Sequence, residues 1–380
     1  MFDISEEQQL IIRTVAQLTE EHIWPNAALW DEKAIFPVDV FKKAASLGLA
    51  GLYAREDVGG SQLTRFDGTL IFEEIATGCV STSAFLSIHN MVVGLLDQYA
   101  PSELRALWLP KLISFDAIAS YCLTEPHSGS DAAALKTEAL DKGDHYLVNG
   151  SKAFISGAGV SDVYLTMVRT GGDGYRGISC LLIPKSLEGV RFGQKEHKMG
   201  WRNQPTAMVY FEDCKVPKTH LIGEVGMGFR YALQALNGGR LNIAACSLGG
   251  ARKAIELTKR YMHERLQFGK PLKDMQTLRH DFSKMMIQFE AAKGLLMRAA
   301  YLYDAKSPDA PKFCAMAKHF VTEECNRIID QAIQLHGGYG YLCDYHVERI
   351  YRDCRVHEIL EGTNEIMCEI IAKYTLDEER

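Results

Sequence analysis

No stretch of this 380-residue sequence is apolar for long enough to span a bilayer. There is no surplus of basic residues: 42 Lys and Arg stand against 48 Asp and Glu, a formal net charge of −6. That balance argues against nucleic acid or an anionic membrane surface as a partner. The ten cysteines never form a C-x-x-C pair. Metal sites draw on such close pairs, so no metal is expected, and the thiols read as reduced and mostly buried. Gly171-Gly172-Asp173-Gly174 reads as a loop between two β-rich runs, and no G-x-G-x-x-G is read after a strand, so a Rossmann dinucleotide site is not supported. The N-terminus, Met1 to Glu7, carries neither a signal peptide nor an Arg-rich transit sequence. The expected setting is a bacterial cytoplasm, or the mitochondrial matrix for a mature form without its presequence.

What is present is ordinary for a globular chain: 47% hydrophobic and 24% charged residues, in a length that suits two or three domains. Ser5 with Gln8 forms a capping box ahead of Leu10, Ile11, Val15 and Leu18 at helical spacing. Phe41 to Leu52, Thr69 to Thr77, Thr82 to Tyr99 and Glu103 to Ile113 extend a nearly all-helical first section. The texture changes at Ala119. His145 to Val148, then Asn149-Gly150, then Ser151 to Phe154 reads as a β-hairpin. Val163 to Val168, Ile178 to Ile183 and Ala207 to Phe211 are β-rich. The helical period then returns in Arg240 to Leu266, Gln276 to Asp304, Lys312 to Leu335 and Tyr345 to Leu360, enough for a bundle. Strands do not alternate with helices, which disfavours a doubly wound parallel sheet. The expected fold is mainly α with a middle β domain: a helical domain over 1–118, a β-barrel-like domain over 119–227 and a C-terminal four-helix bundle over 228–380.

Several stretches carry chemistry. Glu361, in Ile359-Leu360-Glu361-Gly362-Thr363, is placed on a turn between two helix ends. A helix C-terminus and an apolar cleft would both raise its pKa, which suits a general base; a solvated glutamate is the alternative. Tyr121-Cys122-Leu123-Thr124-Glu125-Pro126-His127-Ser128-Gly129-Ser130-Asp131 has the small residues that let N–H groups approach an anion, or that form a loop and a helix cap. Phe154-Ile155-Ser156 pairs an aromatic face with a hydroxyl, for a planar ligand or for a core. Arg265, ending a long helix, could pair with a phosphate or complement the helix dipole. His336-Gly337-Gly338 permits a sharp turn or a close backbone approach. His89 reads as a packed, hydrogen-bonded histidine rather than a ligand.

Taken together, YCLTEPHSGSD at Tyr121, NGSKAFISGAG at Asn149, RLQFGKPL at Arg265, QLHGGYGY at Gln334 and ILEGTNEI at Ile359 resemble the acyl-CoA dehydrogenase family of flavoproteins over almost the whole chain. SIHN at Ser87 and LNGGRLNIAACSLG at Leu236 resemble the short-branched-chain members, which implies an isobutyryl-type acyl-CoA substrate. The resemblance implies FAD bound by Tyr121, Cys122, Leu123, Thr124, Ser128, Gly129, Ser130, Phe154, Ile155 and Ser156. It further implies contacts from Arg265, Met275, Gln276, Gln334, Leu335, His336, Gly337 and Gly338 to the FAD of a neighbouring subunit. Thr363, Asn364 and Glu365 would touch its adenine or phosphate end. Glu361 matches the base that removes the α-proton while hydride leaves the β-carbon. Ser130, Asn237, Gly238, Gly239, Arg240 and Lys373 match positions that hold acyl-CoA, although many relatives carry arginine where Lys373 stands. In some branches the base precedes the arginine that here is Arg240; that position is Gly239 and cannot serve. The implied partners are electron-transferring flavoprotein and three further copies, in a dimer of dimers. Rival expectations are a straight short-chain or 2-methylbutyryl-CoA substrate, an acyl-CoA oxidase, and a silent acyl-CoA-binding scaffold.

Overall fold

The computed structural model describes residues 4–376. Met1 to Asp3, part of the stretch read above for a leader, lie outside the described residues. Six helices come first: α1 (Glu6–Leu18), α2 (Trp24–Lys33), α3 (Val38–Ser46), α4 (Arg65–Gly78), α5 (Val80–Tyr99) and α6 (Ser102–Ile113). The capping box at Ser5 and Gln8 is formed. Seven strands follow: β1 (Ala119–Cys122), β2 (Glu138–Asp141), β3 (His145–Ser156), β4 (Val163–Arg169), β5 (Ile178–Pro184), β6 (Val190–Phe192) and β7 (Thr206–Pro217). They build one sheet in the order β1-β4-β2-β3-β7-β6, with β5 paired to β4.

The Asn149-Gly150 pair does not turn a hairpin. β3 runs straight through it as one strand along β7, with a register shift between Val148 and Gly150. The pair forms a bulge, because the flanking apolar residues find their partners on β7 rather than on each other. Asn149 and Asp213 exchange hydrogen bonds across it, at 2.8 and 3.0 Å. Gly172 to Gly177 do spell G-x-G-x-x-G, but they join antiparallel β4 and β5, so no helix N-terminus follows to receive a pyrophosphate.

The last section holds α7 (Gly228–Glu264), a short ribbon of β8 (Leu266–Gln267) and β9 (Lys270–Pro271), α8 (Gln276–Asp304), α9 (Ala310–His336), α10 (Val347–Arg355) and α11 (Asn364–Leu376). Helix α10 ends earlier than the pattern over Tyr345 to Leu360 predicts: the chain tightens into a 3-10 turn at Val356–Glu358. Buried apolar residues of α1 to α5 and α7 to α10 share one core. Small residues of α7 make the close approach possible: a Cβ at Gly249 would lie 2.1 Å from the Glu73 carbonyl oxygen on α4. A second core joins α5, α6 and the start of α7 to β1, β4 and β5. Asp304, at the end of α8, accepts the N–H groups of Arg65 and Phe66, both at 2.8 Å, and so caps α4. No described helix is long and apolar enough to cross a membrane.

Candidate active site

The turn between α10 and α11 carries Glu361 in a left-handed conformation, φ 58°, followed by Gly362 at φ 89°. A glutamate held there is strained, by about 1–3 kcal/mol, so the surroundings must impose it. His357 anchors the turn on one side: it is buried, its Nδ1 lies 2.6 Å from Ser247 Oγ, and its ring meets the edge of Trp201. On the other side Thr363 Oγ1 accepts the Ile366 N–H and starts α11. Fully buried Lys318 reaches in from α9. Its Nζ donates to the carbonyls of Glu358 and Gly362, at 3.2 and 2.7 Å, and to Asn364 Oδ1 at 2.9 Å.

The side chain of Glu361 lies on the backbone of α7. Its Oε2 is enclosed and has no hydrogen-bond partner, although the residue as a whole is only half-buried. Burial lifts its pKa to about 7, against the opposing charges of Arg240, Lys318 and Arg65. Arg240 is buried; its Nε donates to the Glu361 carbonyl at 3.1 Å and its Nη1 to Asn237 Oδ1 at 2.8 Å. The next glycine, Gly238, supports the Arg65 guanidinium: a Cβ there would lie 2.6 Å from Cζ. The Tyr53 ring covers the cation, its centroid 3.5 Å from Cζ. A cavity of ≈ 530 Å³ adjoins this pair, lined by Met91, Gln234, Ala235 and Asp304 among others. The structure thus brings Glu361, Asn237, Gly238, Gly239 and Arg240 together. It adds Lys318 and Arg65, which the sequence reading missed. A lysine on the apolar stripe Ala315 to Val321 was the available signal for the first; nothing local marked the second.

A shelf in the β domain faces the same region. The Tyr121 hydroxyl is enclosed without a partner; burial raises its pKa well above the ordinary range, and the charges of Cys180 and Glu361 add to that. Under the loop after β1 lies a buried ion pair. Glu125 accepts from Lys152 Nζ at 2.7 Å and from the N–H groups of Lys136 and Thr137, at 2.7 and 2.9 Å. Lys152 also donates to the Leu123 carbonyl. Glu125 and Ser128 exchange backbone hydrogen bonds, leaving Gly129 and Ser130 exposed at the tip. The Ala153 N–H bonds the Thr124 carbonyl and Ser120 Oγ bonds the Ser156 carbonyl, so Phe154-Ile155-Ser156 lies beside this loop. Phe154 has φ 58° and is 70% exposed. A left-handed aromatic turned outward beside an orphaned phenol suits a planar, polar-edged ligand such as a flavin. The side chains of Cys122, Leu123 and Ile155 point into the cores.

The remaining candidates lie apart. Arg265 follows α7 with its guanidinium 5.1 Å from the Tyr339 ring centroid, and Met275 and Gln276 start α8. Gln334, Gly337 and Gly338 are exposed, whereas Leu335 and His336 are buried, the latter stacked on Tyr261 with its Nδ1–H on the Ala332 carbonyl. Among the described residues no hydrogen bond or ring contact joins this cluster to Glu361 or to the Tyr121 loop. Asn364 is turned inward to Lys318, while Glu365 and Lys373 are exposed, Lys373 beside a shallow cavity of ≈ 350 Å³. His89 is packed as read: its Nε2–H meets the Leu112 carbonyl at 2.9 Å and its Nδ1 accepts the Ala119 N–H.

Family models match in three consecutive blocks: the N-terminal domain of acyl-CoA dehydrogenase over residues 5–116, the middle domain over 120–214 and the C-terminal domain over 226–376. The chain belongs to the acyl-CoA dehydrogenase family. It is 48% identical over 375 residues to the mitochondrial isobutyryl-CoA dehydrogenase of Bos taurus, covering 99% of this chain and 90% of that one. It is 50% identical over 371 residues to the enzyme of the same name from Dictyostelium discoideum, covering 97% and 89%. The solved structure of PigA with FAD and proline superposes at a TM-score of 0.95, with 28% identity and 98% of each chain covered.

Proposed function

We propose that this chain is an FAD-dependent dehydrogenase that converts a short, branched acyl-CoA, isobutyryl-CoA in preference, to the 2-enoyl-CoA. One observation carries the reading: the enclosed, unpartnered Oε2 of Glu361 lies within electrostatic range of the equally unpartnered Tyr121 hydroxyl at the start of the β-domain loop. Bound FAD supplies the acceptor for the β-hydrogen and its electron pair. The Glu361 carboxylate takes the α-proton; its pKa of about 7 makes it a stronger base than an exposed glutamate while leaving much of it ionised at neutral pH. The developing charge falls on the thioester oxygen, which needs preorganised donors. The Glu361 N–H makes no hydrogen bond among the described residues and is free to serve. Arg240 holds the Glu361 carbonyl, which ties this turn to α7. Gly238 and Gly239 let substrate and carboxylate approach the α7 backbone.

For the cofactor, the loop from Tyr121 to Ser130 and Phe154 to Ser156 would hold the flavin. Arg265, Met275, Gln276 and Gln334 to Gly338 would reach the cofactor of a neighbouring subunit, in a tetramer built as a pair of dimers. Their separation from Glu361 within one chain, and the exposure of Phe268 and Tyr341 nearby, support this arrangement. Thr363, Asn364 and Glu365 sit at its adenine end; Ser130, Asn237 and Lys373 line the acyl-CoA path. The domains run 1–118, 119–227 and 228–380. Electron-transferring flavoprotein reoxidises the enzyme, in a bacterial cytoplasm or a mitochondrial matrix. The test is anaerobic titration of the FAD-loaded protein with isobutyryl-CoA. Loss of the flavin's yellow absorbance is expected; an unchanged spectrum with every acyl-CoA refutes the reading. Turnover with oxygen as efficient as with electron-transferring flavoprotein would make it an oxidase.

A further inference from the structure

We infer that Lys318 is a positioning residue for the base, its ammonium clamping the chain on both sides of Glu361 and placing a positive charge within electrostatic range of the carboxylate. The inference rests on Glu361 acting as proposed above. Lys318 is 0% exposed, in the middle of α9, and its three N–H groups go to three neutral oxygens: the carbonyls of Glu358 and Gly362 and the side-chain oxygen of Asn364. Those acceptors bracket Glu361 at positions −3, +1 and +3. A lysine has three donors, so the head is saturated by this one turn. Burying a cation against neutral oxygens is costly, and a methionine would fill the same volume without that cost. A purely structural filler does not explain the charge. A clamp does: the left-handed backbone at Glu361 needs outside support, and the two carbonyls that flank it are fixed by one atom, Nζ.

The electrostatic surroundings agree. Glu361 is faced by Arg240 from α7, Arg65 from α4, Lys318 from α9 and the Tyr121 phenol from β1. Lys318 in turn feels Glu361, Glu358 and Glu365, with Arg240 opposing. Lys318 also acts on buried His357. Burial draws the Lys318 pKa down to about 7, so the cation and the base change charge over the same pH range. Each form of one biases the other. The ionised base favours the ammonium, and the ammonium favours the ionised base.

The experiment compares Lys318→Met with wild type as FAD-loaded enzyme. Infrared difference spectra across a pH series report protonation of the Glu361 carboxyl, assigned with Glu361→Gln, and need no substrate. A failure of the substrate reading therefore leaves this measurement intact. In Lys318→Met the Glu361 titration is expected to move to higher pH by about one unit or more, because an attracting cation is gone. The rate of flavin reduction at saturating substrate is expected to fall by roughly 10²-fold at neutral pH, with KM little changed, because the base is misplaced rather than the substrate lost. A Glu361 titration and a reduction rate both at wild-type values overturn the inference. If Lys318→Met loses FAD or does not fold, Asn364→Leu replaces it, removing one acceptor while keeping the cation. A lower reduction rate at full FAD occupancy with an unmoved Glu361 titration supports the clamp, and a wild-type rate refutes it.

Discussion

Gly239 and the carboxylate of Glu361 share one space: a Cβ built on Gly239 would stand 2.6 Å from Oε2 and 2.8 Å from Oε1. Contacts under 3.0 Å are not tolerated, so a side chain at 239 and the carboxylate of Glu361 exclude each other as now placed. Helix α7 and the turn after α10 are thus two routes by which a carboxylate can reach the same point. Gly239→Ala is expected to displace Glu361 and slow flavin reduction by ~10-fold or more while FAD content persists. Glu361→Gly, which also relieves the left-handed backbone, is expected to be inactive. Adding Gly239→Glu to it should restore measurable reduction from the other route. Stopped-flow reduction of the three variants decides; a double variant no more active than Glu361→Gly counts against the shared position.

Glu361→Gln retains size and hydrogen bonding but removes the base. Fold and FAD binding should survive, and turnover should fall by ~10²–10⁴-fold. For wild type, the sign of the pH effect follows from burial. The pKa of Glu361 stands near 7, above the ordinary carboxylate value, so the group becomes protonated where an exposed glutamate would still be ionised. kcat/KM should decline as pH drops below about 7, approaching tenfold per unit for a single group, and should not show the limb near pH 4 of an exposed carboxylate. A profile flat from pH 8 down to pH 5 excludes Glu361 as the base.

Arg265→Ala tests the proposed contact across subunits. Charge-assisted hydrogen bonds contribute roughly 1.5–3 kcal/mol. Loss of FAD should therefore depend on protein concentration, with occupancy falling on dilution faster than in wild type. Full retention of flavin fluorescence quenching on extensive dilution would leave Arg265 as a cap at the end of α7.

Acyl preference follows from the proposed function. One methylene in a fitted pocket changes discrimination by ~1–3 kcal/mol, so neighbouring substrates overlap. The highest kcat/KM is expected for isobutyryl-CoA, with appreciable rates for 2-methylbutyryl- and butyryl-CoA and very little for octanoyl-CoA. Preference for octanoyl-CoA in a substrate panel would remove the short-branched assignment and leave the dehydrogenase.

Lys152→Met should destabilise the protein by about 3–5 kcal/mol, because Glu125 would remain charged and buried without its cation. The remaining N–H donors from Lys136 and Thr137 put the loss toward the lower end. Denaturant unfolding reads the effect. A midpoint equal to wild type would mean that Glu125 takes up a proton instead.

The order of helical, β and helical sections was readable from the sequence, because periods of 3.6 and 2 are written into consecutive residues. The capping box at Ser5 and the packed role of His89 were local enough to be read as well. Glu361 was legible for two reasons: a glycine marks its turn, and ILEGTNEI carries a family resemblance. Tertiary structure decided the rest. Asn149-Gly150 has the local signature of a hairpin, yet β7 supplied better partners, and the dipeptide became a bulge instead. Tyr345 to Leu360 has a helical pattern, but the anchoring of His357 and the carbonyls taken by Lys318 break it. The pKa of Glu361 is set by burial against α7 at Gly239, which raises it, and by the charges of Arg240, Arg65 and Lys318 on three separate helices, which oppose that rise. Arg240 and Glu361 are 121 residues apart, and no local propensity encodes a contact at that separation. Burial and charge act through space, so the chemistry of this carboxylate exists only once the helices have packed.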